Sequence, residues 1–304
     1  MNASFSLPGG ASNVRGKTAL LDVEHNLEGK RITPITTTGR DAPTQAELDC
    51  SNAILSMLQG TLPLLDDHWM KAIWLPSEPV VWPFTPPDVP AVEIITHPKA
   101  PLNTSQRSAI TKMLSSSLDD NITLIQGPPG TGKTTTIATY VLSMINAGQR
   151  GIWLMAQSNV AVKNIAEKLA KLDFFDFKLL VSHNFHFEWL VKFDIRVIIL
   201  KMLSRHEHLY GRIAENIIVS DKLSKSGRIQ RALEGTQVIL CTLSMVSNPK
   251  LQLAGVTQVV PIVNVIIDEA SQIEVGQYVP LFNTFSKSLR KICFVGDDKQ
   301  CKSL

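Results

Sequence analysis

Gly127-Pro128-Pro129-Gly130-Thr131-Gly132-Lys133-Thr134, preceded by the apolar run Ile122 to Gln126 and followed by the helical run Thr135 to Ile145, decides the fold of this 304-residue chain. A glycine-rich turn between a strand and a helix lets backbone N–H groups converge on phosphate oxygens, and the helix N-terminus adds partial positive charge. Lys133 is placed to reach the β- and γ-phosphates of a nucleotide, and Thr134 to ligate Mg2+. The competing reading is a glycine-rich turn that binds nothing. The strand, the loop and the helix all agree with the cradle.

Outward from the turn, apolar runs alternate with helical stretches, the rhythm of a parallel α/β sheet. Strands are expected at Ile122 to Gln126, Gly151 to Ala156, Lys178 to Ser182, Val238 to Thr242, Val263 to Ile267 and Lys291 to Val295. Most are near-continuous apolar runs, as required when helices cover both faces of a sheet. Residues 184–233 read as a helical insertion, longer than an ordinary crossover. On the N-terminal side, residues 1–100 form an accessory segment with β-like runs around Arg31 to Thr38 and a helix from Thr44 to Leu58. It closes with an extended linker from Ser77 to Pro101, crowded with prolines that lack backbone donors. Residues 101–304 then form the principal domain.

Composition limits the classes. Hydrophobic residues make up 44% of the chain, enough for a sizeable core, and the net charge of +3 permits a nucleic-acid partner without arguing for one. The four cysteines, Cys50, Cys241, Cys293 and Cys301, show no paired spacing of a zinc or redox motif. Neither a secretory leader nor an apolar stretch of membrane-spanning length is present, so a soluble, intracellular protein with no membrane partner is expected. His183, His186, His206 and His208 lie in the polar insertion without a supporting carboxylate pattern, and read as solvated or structural.

Two further strand ends carry chemistry. Val265-Ile-Ile-Asp268-Glu269-Ala270-Ser271-Gln272 delivers two carboxylates from the end of an apolar strand. Beside a phosphate cradle, Asp268 suits the Mg2+ shell, and Glu269 suits polarisation of the water that attacks the γ-phosphate. Phe294-Val-Gly296-Asp297-Asp298-Lys299-Gln300 repeats the strand-to-polar-loop pattern, with Gln300 as a candidate γ-phosphate sensor.

From Leu102 to Gln300 these motifs resemble the superfamily 1B helicases of the nonsense-mediated-decay and senataxin type, whose fold is a RecA-like P-loop NTPase sheet. Leu102-Asn-Thr-Ser-Gln106 resembles the family's Q motif, which implies that Gln106 reads adenine. Gly127, Pro128, Pro129, Gly130, Thr131, Gly132, Lys133, Thr134 and Thr135 look like motif I, Asp268 to Gln272 like motif II, and Gly296 to Gln300 like motif III. Ala156 to Asn164 resembles motif Ia, and Leu240 to Ser244 resembles a strand-end motif that touches the nucleic-acid backbone.

The resemblance thus implies ATP and Mg2+ as cofactors and single-stranded DNA or RNA as partner. Lys133, Glu269 and Gln300 take the catalytic roles, Thr134 and Asp268 hold the metal, and Ser158, Asn159 and Thr242 touch the strand. Short hydroxyl and amide groups can bind phosphates without reading bases. By type alone, those three residues read equally well as helix caps and turn residues. Two other readings stay open: a catalytically weak, nucleotide-dependent nucleic-acid-binding module, and a P-loop switch that is not a helicase.

Helicases of this family pair two RecA-like domains around one ATP, with arginine fingers from the second worth roughly 10³ to 10⁵ in rate by analogy with other P-loop enzymes. Here Cys301-Lys-Ser-Leu follows Gln300, where the family continues with a leucine and a proline-containing loop. Cys-Lys-Ser can be encoded as TGT AAG TCN, which contains the splice-donor sequence GTAAGT, so these residues are expected to be translated intron in a truncated chain. Leu190 to Arg205 is a second candidate for retained intron, because its removal joins Trp189 to His206, the continuity expected of close relatives. A genuine apolar helix there is the alternative.

Overall fold

The computed structural model describes residues 9–15, 18–23, 43–61, 66–85, 91–98, 100–182, 207–220, 226–297 and 299. Two compact units divide the chain, Met1–Ala42 and Pro43–Leu304. In the first, β1 (Gly9–Arg15) and β2 (Thr18–Val23) form an antiparallel hairpin with a register shift between Ala11 and Asn13. The β-like runs around Arg31 to Thr38, the stretch 190–205 and residues 301–304 lie outside the described residues.

The second unit opens with α1 (Gln45–Leu58), started by a reciprocal cap. The Glu47 N–H donates to Thr44 Oγ1 at 3.3 Å, and the Thr44 N–H donates to a Glu47 carboxylate oxygen at 2.7 Å. A short helix, α2 (His68–Trp74), follows. The described part of the proline-rich stretch forms neither helix nor strand, as the missing donors dictate. Trp82 and Phe84 pack against the core, and the Ile95 N–H donates to Ser143 Oγ at 2.9 Å.

Seven parallel strands build the main sheet: β3 (Ile122–Gln126), β4 (Ile152–Ala156), β5 (Phe177–Val181), β6 (Ile217–Val219), β7 (Val238–Thr242), β8 (Asn264–Asp268) and β9 (Lys291–Gly296). Their order is β3-β9-β8-β4-β7-β5-β6. Six of these are the expected strands, with boundaries moved by at most one residue. The seventh, β6, arises inside the stretch read as a helical insertion, between α6 (Glu207–Ala214) and α7 (Ser226–Leu233). Every residue of β4, β7 and β8 is buried.

Alternate residues feed two apolar layers. Trp153, Met155, Ile239, Cys241, Val265 and Ile267 face one cluster, shared with Trp69 and Met70 of α2, Leu251 of α8 (Pro249–Leu253), Val256 of α9 (Val256–Val259) and Phe282 of α10 (Val279–Phe285). Ile152, Leu154, Val238, Leu240 and Ile266 face the other, under α3 (Thr104–Leu114), α4 (Lys133–Asn146), α5 (Asn159–Lys171) and α6. The architecture is therefore a RecA-like α/β sheet covered on both faces.

Trp69 is fully buried, stacked on Phe282 with centroids 6.2 Å apart and set edge-on to Trp82 at 4.7 Å. Such a ring contributes on the order of 3 kcal/mol by burial. Strand β3, in contrast, pairs only with β9 among the described residues. Leu124 at its centre is 79% exposed, beside a groove lined by Ser108 and Lys112 of α3. No helix among the described residues is long and apolar enough to cross a membrane.

Candidate functional site

The parallel register sets the strand ends level with one another. Gln126 pairs with Gly296, and Ala156 pairs with both Thr242 and Asp268. Side chains carried just beyond these residues therefore meet along one edge of the sheet, the usual ligand edge of an open parallel sheet.

Beyond β3, the turn reaches α4 through Gly132, whose φ of +84° is left-handed. A Cβ there would collide with Gln106 Nε2, so glycine serves both the backbone conformation and the close approach of that amide. The Gln106 side chain has two tasks. Its Oε1 accepts from the Asn103 N–H at 3.0 Å, closing the cap of α3, and its Nε2 donates to Thr131 O at 2.9 Å. Gly132 at the N-cap of α4 has no side chain to cap it, and among the described residues this leaves the N–H groups of its first turn to an anion. Lys133 Nζ donates to Gly127 O at 2.6 Å and to Pro128 O at 3.1 Å. Thr131 Oγ1 donates to Pro128 O at 2.7 Å, which tightens the middle of the loop. Pro129 and Gly130 are exposed at the tip, and Thr134 and Thr135 are half-buried in the first turn of α4.

Beyond β8, Asp268 is 7% exposed, and its Oδ1 accepts from the Glu269 N–H at 3.0 Å. Burial raises the Asp268 carboxyl above the ordinary carboxylate range, opposed by that N–H and by the Lys133 charge. Glu269 is also raised, first by burial and then by the Asp268 charge, again with Lys133 opposing. The loop and the acid pair follow strands that flank β9 in parallel register. Glu269 has φ +55° and ψ +30°, a left-handed conformation that costs a residue with a Cβ about 1–2 kcal/mol.

The turn after Glu269 lies against the end of β9. A Cβ on Gly296 would come within 3.0 Å of the Ser271 nitrogen, and the Asp297 N–H donates to Ser271 Oγ at 3.3 Å. Gln300 lies outside the described residues.

At the ends of β4 and β7 the nucleic-acid candidates have local partners. Ser158 caps α5, its Oγ accepting from the Ala161 N–H at 3.1 Å, and Asn159 is the first residue of that helix. Thr242 is 6% exposed, with its Oγ1 3.2 Å from Ser244 Oγ.

Two further residues bear on the site and carry no motif. Lys291 Nζ donates to Ser115 O at 2.5 Å and Lys112 O at 3.3 Å, anchoring the far end of the helix that bears Gln106. Burial pushes its ammonium down to about 8. Tyr278 reaches the turn after Glu269, its hydroxyl donating to Ala270 O at 3.2 Å. A lysine opening a strand and an aromatic residue in an apolar run give no signal beyond structure. The Asn103–Gln106 spacing of a reciprocal cap was the one readable hint of Gln106's first task.

A family model described as AAA domain matches residues 101–183 and 204–303, leaving 184–203 unmatched. A regulator of nonsense transcripts 1 homolog from Neurospora crassa is 28% identical over 209 residues, covering 66% of this chain and 18% of its own length. The putative ATP-dependent RNA helicase ECM32 of Saccharomyces cerevisiae is 30% identical over 228 residues, 66% of this chain and 18% of its length. The human DNA replication ATP-dependent helicase/nuclease DNA2 is 32% identical over 204 residues, 67% of this chain and 16% of its length. The chain therefore spans less than a fifth of the length of these relatives. A glycine-rich turn between strand and helix, an acid pair at a neighbouring strand end with Asp268 buried, and a family match over both make this chain a member of the AAA-domain helicases of superfamily 1, of the nonsense-mediated-decay and senataxin type, with a helicase-type ATP-dependent motor domain.

Proposed function

We propose that this domain, spanning residues 101–304, binds ATP with Mg2+, hydrolyses it, and couples nucleotide state to contact with single-stranded DNA or RNA. The observation that carries the reading is geometric: the glycine-rich turn with Lys133 leaves β3 and the pair Asp268 and Glu269 leaves β8, two strands whose ends flank β9 in one parallel register. Gly127 to Thr135 cradle the phosphates in this reading, and Lys133 leaves the Gly127 and Pro128 carbonyls for the β/γ-phosphates. Gln106, already bonded to the loop at Thr131, meets the adenine. Thr134 and Asp268 are hard oxygen donors of the kind that, with phosphate oxygens, suit Mg2+. Bound there, the ion would neutralise charge on the transferring phosphoryl group.

Glu269 is the general base. Its raised carboxyl makes it a better proton acceptor once ionised, as water attack on the γ-phosphate requires. Gln300 senses the γ-phosphate in the same reading. Ser158, Asn159 and Thr242 contact the strand's phosphates. Because the hydroxyls of Ser158 and Thr242 are engaged within the chain, a weak, nucleotide-dependent binding module is the second reading.

Nucleotide titration and ATP turnover, each with and without single strands, separate the two. The motor reading expects turnover stimulated by strands, lost with nucleotide binding in Lys133→Ala. In Glu269→Gln, binding should survive while turnover falls about 10²- to 10⁴-fold. Strand binding without stimulated turnover favours the module, and unchanged affinity in Lys133→Ala removes the site altogether.

A further inference from the structure

We propose that Tyr278 is a positioning residue for the hydrolytic step: its hydroxyl holds the left-handed turn that aims Glu269. The inference rests on the nucleotide reading above and deepens it. Glu269 adopts φ +55° at the point where the chain leaves β8, and a side chain in that conformation stays there only if its surroundings fix it. On the upstream side the fixing group is Asp268, whose Oδ1 accepts the Glu269 N–H at 3.0 Å. Downstream, the turn closes with the Gln272 N–H on Glu269 O at 2.9 Å and the Ile273 N–H on Ala270 O at 3.2 Å. The hydroxyl of Tyr278 donates to the same Ala270 carbonyl at 3.2 Å, so it ties the residue next to Glu269 to a separate element.

That element is packed into the core. Tyr278 is 4% exposed, and its ring lies edge-on to Phe294 of β9 at 5.2 Å and tilted against Phe282 of α10 at 6.5 Å. Burial raises the phenol well above its ordinary value, so the hydroxyl remains a donor at any physiological pH. The ring also spans two parts of the site, because Phe294 lies two residues before Gly296, whose α-carbon faces Ser271 of the same turn. A tyrosine in an apolar run reads as core, and its ring is core. The oxygen is the part that packing does not explain.

Tyr278→Phe deletes that oxygen and keeps the ring. Loss of one neutral hydrogen bond of this kind should lower kcat for ATP about three- to ten-fold, with KM unchanged. Amide exchange at Gln272 and Ile273 should accelerate by a similar factor, while the amides of β8 keep their protection. Thermal unfolding of the variant is the control for the core, with Tm expected within a few degrees of wild type.

Unchanged exchange at Gln272 and Ile273 overturns the proposal, and so does unchanged kcat with accelerated exchange. A parallel fall in kcat and Tm, with β8 amides also unprotected, overturns it too, because the residue is then only structural. If the wild-type chain turns over no ATP, the nucleotide reading is what has failed, and the exchange measurement alone decides whether Tyr278 holds the turn.

Discussion

Two turns carry the candidate chemistry, and each passes through left-handed backbone, one where it enters a helix and one where it leaves a strand, but they do so with opposite residues. The turn after β3 uses Gly132 at φ +84°, and the turn after β8 uses Glu269 at φ +55°. At Gly132 a side chain would strike Gln106, and in the proposed site phosphate must approach the backbone closely, so a residue without one serves both needs. At Glu269 the side chain is the proposed general base. The same conformation therefore has to be held by force, through Asp268 on one side and Tyr278 on the other. In the proposed site the glycine is used for its bare backbone and the glutamate for its side chain, although both stand at positive φ.

Exchanging the residues tests this contrast, and the largest effect is expected at the loop. Gly132→Ala displaces the Gln106 amide from Thr131 and holds alanine at a φ it resists, so the loop is strained and nucleotide affinity should fall at least about ten-fold. Titration against the folded variant measures it. Affinity within two-fold of wild type, by that rough margin, means that the bond between Gln106 and Thr131 is incidental to the cradle.

A smaller effect is expected at Asp268, read as stability against pH. A carboxyl whose pKa is higher in the folded chain holds its proton more tightly there. Its contribution is then fully present below the unfolded value near 3.8, and is lost as pH rises through the raised folded value. Asp268→Asn removes that loss. Without Mg2+ or nucleotide, the variant should gain stability over wild type as pH rises from 4 towards 7, and its pH slope should be flatter. Urea unfolding at several pH values checks this, and parallel slopes in the two proteins would falsify it.

The smallest effect is the mirror of the first. Glu269→Gly relieves the left-handed strain at the cost of a more flexible unfolded chain, so unfolding free energy should rise by no more than about 1 kcal/mol. A loss of stability would mean that the glutamate side chain, rather than the turn, is what the fold relies on.

Much of this was legible in the sequence because the sheet is covered on both faces. The near-continuous apolar run Val238–Thr242 coincides with its fully buried strand residue for residue, and so does the less covered Ile122–Gln126, which the glycine-rich turn after it helped to place. Strand β6 escaped notice because three residues, Ile217–Val219, give no periodicity to count. Helix α2 is only seven residues long and sits before a proline-rich stretch, so nothing local announced that Trp69 would be fully buried beside Phe282. The phosphate loop and the acid pair carry their chemistry in order along the chain. The contacts that fix them do not: Gln106 meets Thr131 across 25 residues, and Lys291 meets Ser115 across 176. Such pairings are set by the strand order, and become readable only when the sheet is assembled.

Among the described residues β3 has a strand neighbour on one side only, which bears on how the protein behaves in a tube rather than on what it catalyses. A parallel strand at the end of a sheet, with a largely exposed leucine at its centre, is a template for intermolecular pairing. Concentrated solutions of the chain should therefore self-associate edge to edge, slowly and in proportion to concentration. A lysine in place of Leu124 would act as a gatekeeper against that aggregation, since the side chain points to solvent and supports no core.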